Sequence, residues 1–222
     1  MAAYDHAKRE GHNMARDTSP IVKQSRREGY AMHPKAHKVM AKKTGIPGQH
    51  AHGRTGKPSL YLTQLREKQK VRRTYGLLEK QFAKLMDEAD RSNKRDGLLP
   101  GEYLLQLLEL RLDNAVYRAG LATSRRSARQ LVAHGHFLLN GRRVDIPSIR
   151  LKIGDELTVR PKSAKSGYFS QMDEIAKNTY QGTLSWLKSD QNKLTIKITG
   201  LPTREEAEPD IKEQLIVEYY SR

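Results

Sequence analysis

Asn140-Gly141 stands between two short strand-like runs, HFLL and RRVDI, and it constrains the chain more tightly than any other dipeptide. A two-residue hairpin turn needs positive φ at both central positions, and Asn followed by Gly meets that need at little steric cost. The dipeptide therefore predicts an antiparallel strand pair over residues 136–146. The residues before it predict a helix. Thr123 or Ser124 can cap it, Ala128, Leu131 and Val132 can pack inward, and Gly135 stops it. The whole stretch, SRRSARQLVAHGHFLLNGRRV, lacks acidic residues. Arg125, Arg126 and Arg129 occupy i, i+1 and i+4 of the helix, so the spacing places them outward together, with Arg142 and Arg143 following from the turn. Such a claw suits a sugar–phosphate backbone, because the planar guanidinium binds phosphate bidentately and stacks on bases. His136 and Asn140 add uncharged donors suited to 2′-hydroxyls or base edges. A merely solvated charged face is the bland alternative. It is disfavoured because no carboxylate is interleaved in the stretch to relieve repulsion.

Charge extends this expectation to the whole chain. The formal net charge is +16 over 222 residues, and residues 1–75 hold 17 Lys and Arg against 5 Asp and Glu. A polyanion partner follows, and nucleic acid is the usual one. A membrane-surface protein would need a long amphipathic helix or an apolar span, and no run approaches about 18 apolar residues. Cysteine is absent, which excludes disulfides and Cys-based zinc sites. The N-terminus has no apolar signal core and carries Asp5, Glu10 and Asp17, so a soluble, cytoplasmic protein is expected.

Four segments emerge along the chain. Residues 1–58 show no helical or strand period and read as a basic extended arm that orders on a partner. Residues 59–109 read as a helical domain. Ser59 caps its first helix, with Leu62, Leu65 and Val71 on one side; Leu78, Phe82, Leu85 and Met86 mark the second helix, and a leucine-rich third is expected to break near Leu110. Residues 110–175 hold the helix and hairpin described above, a second strand pair around Gly154-Asp155, and a helix in GYFSQMDEIAKNTY. Residues 176–222 read as two strands, LSWLKS and NKLTIKIT, and a tail, IKEQLIVEYYSR, that packs back on the body as helix or strand. The fold class is α+β with short antiparallel strands.

LELRLDNAVYRAGLATSRRSARQLVAHGHFLLNGRRVDIPSIRLKIGDELTV resembles the S-four (α-L) RNA-binding domain. Together with IPGQH, LREKQKVRRTYG and EQLIVEYYSR, in that order, it is similar to the bacterial-type family of small-subunit ribosomal protein number four. The resemblance covers about residues 44–222. It implies a protein without catalytic activity that binds the five-prime domain of small-subunit ribosomal RNA early in assembly. It also implies a place near the messenger-RNA entry channel, an influence on decoding accuracy, and contact with small-subunit protein number five and other small-subunit proteins. Arg125, Arg126, Arg129, His134, His136, Asn140, Arg142 and Arg143 fall on the family's RNA-facing element. Gln49, His50, Lys68, Lys70, Arg72 and Arg73 fall on matching basic segments of the N-terminal half. No cofactor is implied. Many members carry four N-terminal cysteines around a metal; none is present here. The alternative is a free-standing S-four-domain RNA binder acting in stress or ribosome rescue, though such proteins are usually shorter and lack the helical domain.

Three other signals point to simpler roles. His33, His37, His50 and His52 suggest a metal site, but Pro34 interrupts the first pair, and RNA contacts suit them better. Arg111-Leu112-Asp113 is similar to the core of pseudouridine synthases, yet the chain has no room for a catalytic sheet domain, so Asp113 is expected to pair with an arginine. Trp186, Phe169, Tyr168 and Tyr180 are expected in the core rather than as base-stacking platforms.

Overall fold

The computed structural model describes residues 17–43, 45–49, 56–96, 98–172, 174, 184–190 and 193–221. His50, His52, Gly53, Tyr180 and half of the residues of the helix expected in GYFSQMDEIAKNTY lie outside them. Two compact units are present: one formed by the chain up to Gly101 with Asp210–Arg222, the other by Glu102–Pro209.

The first unit is helical. Ile21–Glu28 (α1) and Pro34–Lys42 (α2) precede Leu60–Thr74 (α3) and Glu79–Asp96 (α4), and Glu213–Tyr220 (here α9) packs on α3. Ser59 Oγ accepts from the Leu62 amide at 3.2 Å, which caps α3 as its sequence implies. Phe82, Leu85 and Met86 of α4 are buried with Val71, Ile211 and Ile216, whereas Leu62 is exposed.

Helices α1 and α2 correct the reading of residues 1–58 as wholly extended. Periodicity missed α1 because polar bonds replace an apolar stripe. Ser25 is fully buried; its Oγ donates to the Ile21 carbonyl at 2.9 Å and accepts from the Met32 amide at 3.3 Å. Glu28 reaches α3, where Arg73 and Arg66 donate to its Oε1 at 2.5 and 3.1 Å. Gly29, at φ +65°, ends the helix. In α2 the ring of His33 acts as the N-cap, accepting from the Lys35 amide at 3.1 Å, and Pro34 opens the helix.

The second unit contains most of Pro100–Glu109 (α5), then Leu112–Arg118 (α6), Arg125–Ala133 (α7), Phe137–Leu139 (β1), Arg142–Val144 (β2), Glu156–Val159 (β3), Pro161–Ala164 (α8), Leu187–Asp190 (β4) and Thr195–Ile198 (β5). The five strands form one antiparallel sheet in the order β2-β1-β3-β5-β4. Alternation along the strands turns Phe137, Leu157, Ile196 and Ile198 into a core shared with Val116, Val132, Phe169 and Trp186. Trp186 and Phe169 are buried as expected, and the Tyr168 hydroxyl donates to the Leu121 carbonyl.

Two further expectations change. β4 and β5 lie in the sheet beside β3, so residues 184–198 share the core of the second unit instead of forming a separate segment with the tail. No strand pair forms around Gly154-Asp155: residues 152–155 are a turn in which Asp155 accepts from the Lys152 amide at 2.7 Å, and only β3 follows. The tail ending at Tyr220 is a helix, because burying Ile216 against α3 uses a helical face.

The leucine-rich helix does break between α5 and α6. Arg111 is extended there, pairs with Arg150 as a β-bridge, and grips Asp113 through two bonds of 3.1 Å. Beside the break, Arg118 donates twice to the fully buried Glu109, at 2.7 and 2.9 Å, and the Asn114 amide adds a bond of 2.7 Å. Removing one partner strands the other charge in the interior. Glu109→Ala is expected to destabilise the protein by about 3 kcal/mol, because Glu208 at 3.6 Å relieves Arg118 only in part. Glu109→Met with Arg118→Leu should cost less. Urea unfolding midpoints check both, and equal losses for the single and double variants would contradict this account.

Candidate nucleic-acid interface

The helix and hairpin of residues 124–144 form as their sequence dictates. Ser124 Oγ accepts from the Ser127 amide at 3.2 Å, and Asn140 and Gly141 take φ of 49° and 80°. α7 ends in a Schellman arrangement. Gly135, at φ +68°, donates to Val132 and His136 donates to Leu131.

The three helix arginines do not point outward together. Arg125 turns toward α6: it donates to Asn114 Oδ1 at 2.8 Å and Glu208 Oε1 at 2.6 Å, with its guanidinium 4.6 Å from the Tyr117 ring centre. Arg129, on the same helix side, lies 3.8 Å from Asp113. Arg126, about 100° around the helix, is the exposed member of the set. The carboxylates missing from the linear stretch thus come from elsewhere in the fold, Glu208 from a distant loop and Asp113 from α6.

The hairpin keeps its cations at the surface. Arg142 and Arg143 are both exposed, and as neighbours on β2 they face opposite sides of the sheet. Arg143 shares a face with Leu138 and lies against Gly135; a Cβ there would meet its Nε at 2.7 Å and Nη2 at 2.8 Å. Arg160 comes to the same place, donating to the Gly135 carbonyl at 3.1 Å. Cations at the C-terminal end of α7 complement its partial negative charge. Linear spacing gave no sign of Arg160; the pairing of Phe137 with Val159 brings it there.

His134 and His136 complete the cluster, with ring centres 5.9 Å apart. Burial, then the nearby positive charges of His134 and Arg160, hold the His136 imidazole below its ordinary pKa. Its Nδ1 lies 3.0 Å from Ser163 Oγ. Asn140 is an exposed residue whose amide holds the turn: it donates to Asp155 at 2.8 Å and accepts from the Glu156 amide at 2.9 Å.

In the helical unit, Gln49 is exposed, while the basic residues of α3 are engaged internally. Lys68 is buried, donates to Glu79 at 2.6 Å and sits 4.4 Å over the Tyr219 ring. Lys70 donates to the Asp210 carbonyl at 2.7 Å and pairs with Glu67 at 2.8 Å. Arg72 holds Gln69 and the Leu77 carbonyl, and Arg73 holds Glu28. The sequence places these four on a basic segment; in the fold they tie α3 to α1, α4 and the C-terminal segment. Burial opposes ionisation of the Glu79 carboxyl, but hydrogen bonds from Lys68 and Tyr220 hold its pKa below the usual value.

A small antiparallel sheet beside two short helices, with cations gathered at a helix end and a hairpin, defines a basic nucleic-acid-binding domain. Comparison with known proteins gives the family. Residues 16–109 match the family model described as the ribosomal protein S4/S9 N-terminal domain, and residues 110–157 match the S4 domain. The chain is 46% identical over 215 residues to the small ribosomal subunit protein uS4 of Clostridioides difficile, covering 94% of this chain and all of that protein. It is 44% identical to the protein of the same name from Roseiflexus sp. and 46% identical to that of Chloroflexus aurantiacus, with the same coverage. The chain belongs to the S4 family of ribosomal proteins.

Gly135→Ala tests the geometry of the cluster. A side chain in the left-handed region costs about 1–2 kcal/mol, and this one must also displace Arg143. A lowered thermal midpoint together with movement of Arg143 side-chain NMR signals is expected. A variant with an unshifted Arg143 would break the link between the two residues.

Proposed function

We propose that the chain is a non-enzymatic structural component of the small ribosomal subunit, binding the five-prime domain of its ribosomal RNA early in assembly. The observation that carries this reading is the cationic cluster at the end of α7 and along the hairpin: Arg126, Arg142 and Arg143 exposed, with His134, His136 and Arg160 beside them. Gln49 and His50 are proposed to add contacts from the helical unit. The cations displace counterions from phosphate, and the rigid hairpin fits a folded RNA by shape. A position near the messenger-RNA entry channel, contact with small-subunit protein number five and with messenger RNA, and an influence on decoding accuracy are part of the same proposal. It places the protein in the cytoplasm. No helix among the described residues is long and apolar enough to cross a membrane.

Arg125 and Arg129 are better read as residues that set the angle of α7 than as the principal phosphate contacts. Filter-binding titration on the five-prime domain RNA, with a scrambled RNA as control, separates the roles. Arg142→Ala with Arg143→Ala is expected to weaken binding and to lower the slope of log affinity against log salt by about 2. Arg125→Ala is expected to lower the unfolding midpoint as well. An unchanged slope in the hairpin variant would remove the hairpin from the interface. Equal affinity of the parent protein for both RNAs would favour the free-standing stress or rescue factor.

Proton linkage offers a second test. The His136 pKa is depressed in the free protein, so phosphate nearby raises it and binding takes up a proton. Affinity should therefore rise as pH falls from about 7 toward 5.5. The difference between the parent protein and His136→Gln isolates this group, and identical pH profiles would exclude it.

A further inference from the structure

The hairpin turn carries a chemistry that RNA binding does not use. Asn140-Gly141 is the only Asn-Gly pair in the chain, and both residues are exposed. In such a pair the glycine nitrogen can close a five-membered ring onto the side-chain carbonyl carbon, and the missing Cβ leaves that closure unhindered. Here the approach is open. A Cβ built at Gly141 would meet nothing within 4 Å, and the Gly141 amide donates no backbone hydrogen bond among the described residues. Arg142, the next residue, is exposed and positive, which favours the deprotonated nitrogen that must attack. The side-chain amide is restrained at both ends, however. Asn140 Nδ2 donates to Asp155 Oδ1 at 2.8 Å, and Asn140 Oδ1 accepts from the Glu156 amide at 2.9 Å. Asp155 is fixed in turn, because its Oδ2 accepts from the Lys152 amide at 2.7 Å.

We propose that Asn140 is a deamidation site and that Asp155 is its guard, a positioning residue that holds the side-chain amide away from the Gly141 nitrogen. When the restraint opens, the Gly141 nitrogen gives up its proton and attacks Asn140 Cγ. The new N–Cγ bond closes a succinimide, the Cγ–Nδ2 bond breaks, and Nδ2 takes up a proton and leaves as ammonia. Water then adds to one of the two ring carbonyl carbons. Breaking the N–Cγ bond yields aspartate, and breaking the bond between the nitrogen and the Asn140 backbone carbonyl carbon yields isoaspartate. One water is consumed and one ammonia released, with no change of oxidation state. Either product places a carboxylate where an amide donor met Asp155, so two like charges replace a hydrogen bond. Isoaspartate also adds a carbon to the main chain of a two-residue turn that sets Arg142 opposite Leu139. The modification therefore loosens the hairpin. Weaker RNA binding follows too, a consequence that rests on the proposed reading of the hairpin as an RNA contact.

Incubation of the full-length protein at mildly alkaline pH, followed by peptide mass spectrometry, is the direct test. Over its starting level, the peptide holding Asn140 is expected to gain the mass difference between NH2 and OH, and an isoaspartate-specific methyltransferase is expected to label it. Asp155→Ala is expected to modify about tenfold faster, the factor that goes with losing one hydrogen bond to a charged group. Asp155→Asn keeps an acceptor oxygen and should restore most of the restraint. Glu109→Ala weakens the same unit without touching the turn, and its rate is expected to match the parent's. No gain of mass at Asn140 in any of these proteins would overturn the site. Equal acceleration in Asp155→Ala and Glu109→Ala, no acceleration in Asp155→Ala, or equal rates in Asp155→Asn and Asp155→Ala would overturn the guard.

Filter binding to the five-prime domain RNA then reads the consequence, with the modified fraction separated from the fresh protein by its added negative charge. Weaker binding by the modified fraction is expected. Equal binding by the two fractions would overturn the consequence and leave the modification standing on its mass. Failure of the fresh protein to distinguish this RNA from a scrambled one would count against the RNA reading alone.

Discussion

The Glu109–Arg118 pair fixes the geometry on which the RNA-binding unit depends. Both side chains are almost wholly buried and bonded through two parallel contacts, which hold α6 against the end of α5. Asn114 joins the pair through its amide and passes the constraint on, since its carbonyl oxygen accepts from Arg125 of α7. Glu208 closes the network from the other side, 2.6 Å from Arg125 and 3.6 Å from Arg118. A buried network of this kind specifies one arrangement, because a partly satisfied version is costly. The angle of α7, and with it the display of Arg126 and the cluster around Gly135, follows.

The chain's positive charge divides into two populations. One is internal. Lys68, Arg72 and Arg73 each hold a carboxylate or carbonyl across the helical unit, and Arg111, Arg118 and Arg125 do so in the other. The second is displayed: Arg126, Arg142 and Arg143 lie at the surface around α7 and its hairpin. A polyanion can reach displayed cations such as these without breaking the fold, but not the internal ones. Net charge alone therefore overstates the interface, and the internal arginines substitute for apolar packing in a chain that is 36% hydrophobic.

The parts of the fold legible in sequence were those set by local rules. Ser59, Ser124, Gly135 and Asn140-Gly141 act within a few residues, through caps and positive-φ turns, and each sits where its chemistry requires. The apolar spacing of α4 and α7 was equally readable, since one helix face needs only its own period. Helix α1 was not, because Gln24, Ser25 and Glu28 give its inner face polar groups, bonded to Asp17, Met32 and α3, in place of an apolar stripe. Within the candidate site, the exposure of Arg126, Arg142 and Arg143 was legible. The engagement of Arg125 and Arg129 was not, nor the arrival of Arg160, because Glu208, Asp113 and the β1–β3 register lie far away in the chain.

By itself the sequence determined that this protein carries a helix and hairpin rich in arginine, α+β in class, with an excess of positive charge and no cysteine. Those properties follow from residue type and short spacing, which require no partner elsewhere in the chain. Only the tertiary structure decided which cations are displayed at the surface and which are held inside. A charged side chain finds its counter-ion through space, and the lowest-energy pairing in a low-dielectric interior is set by which segments the core brings together.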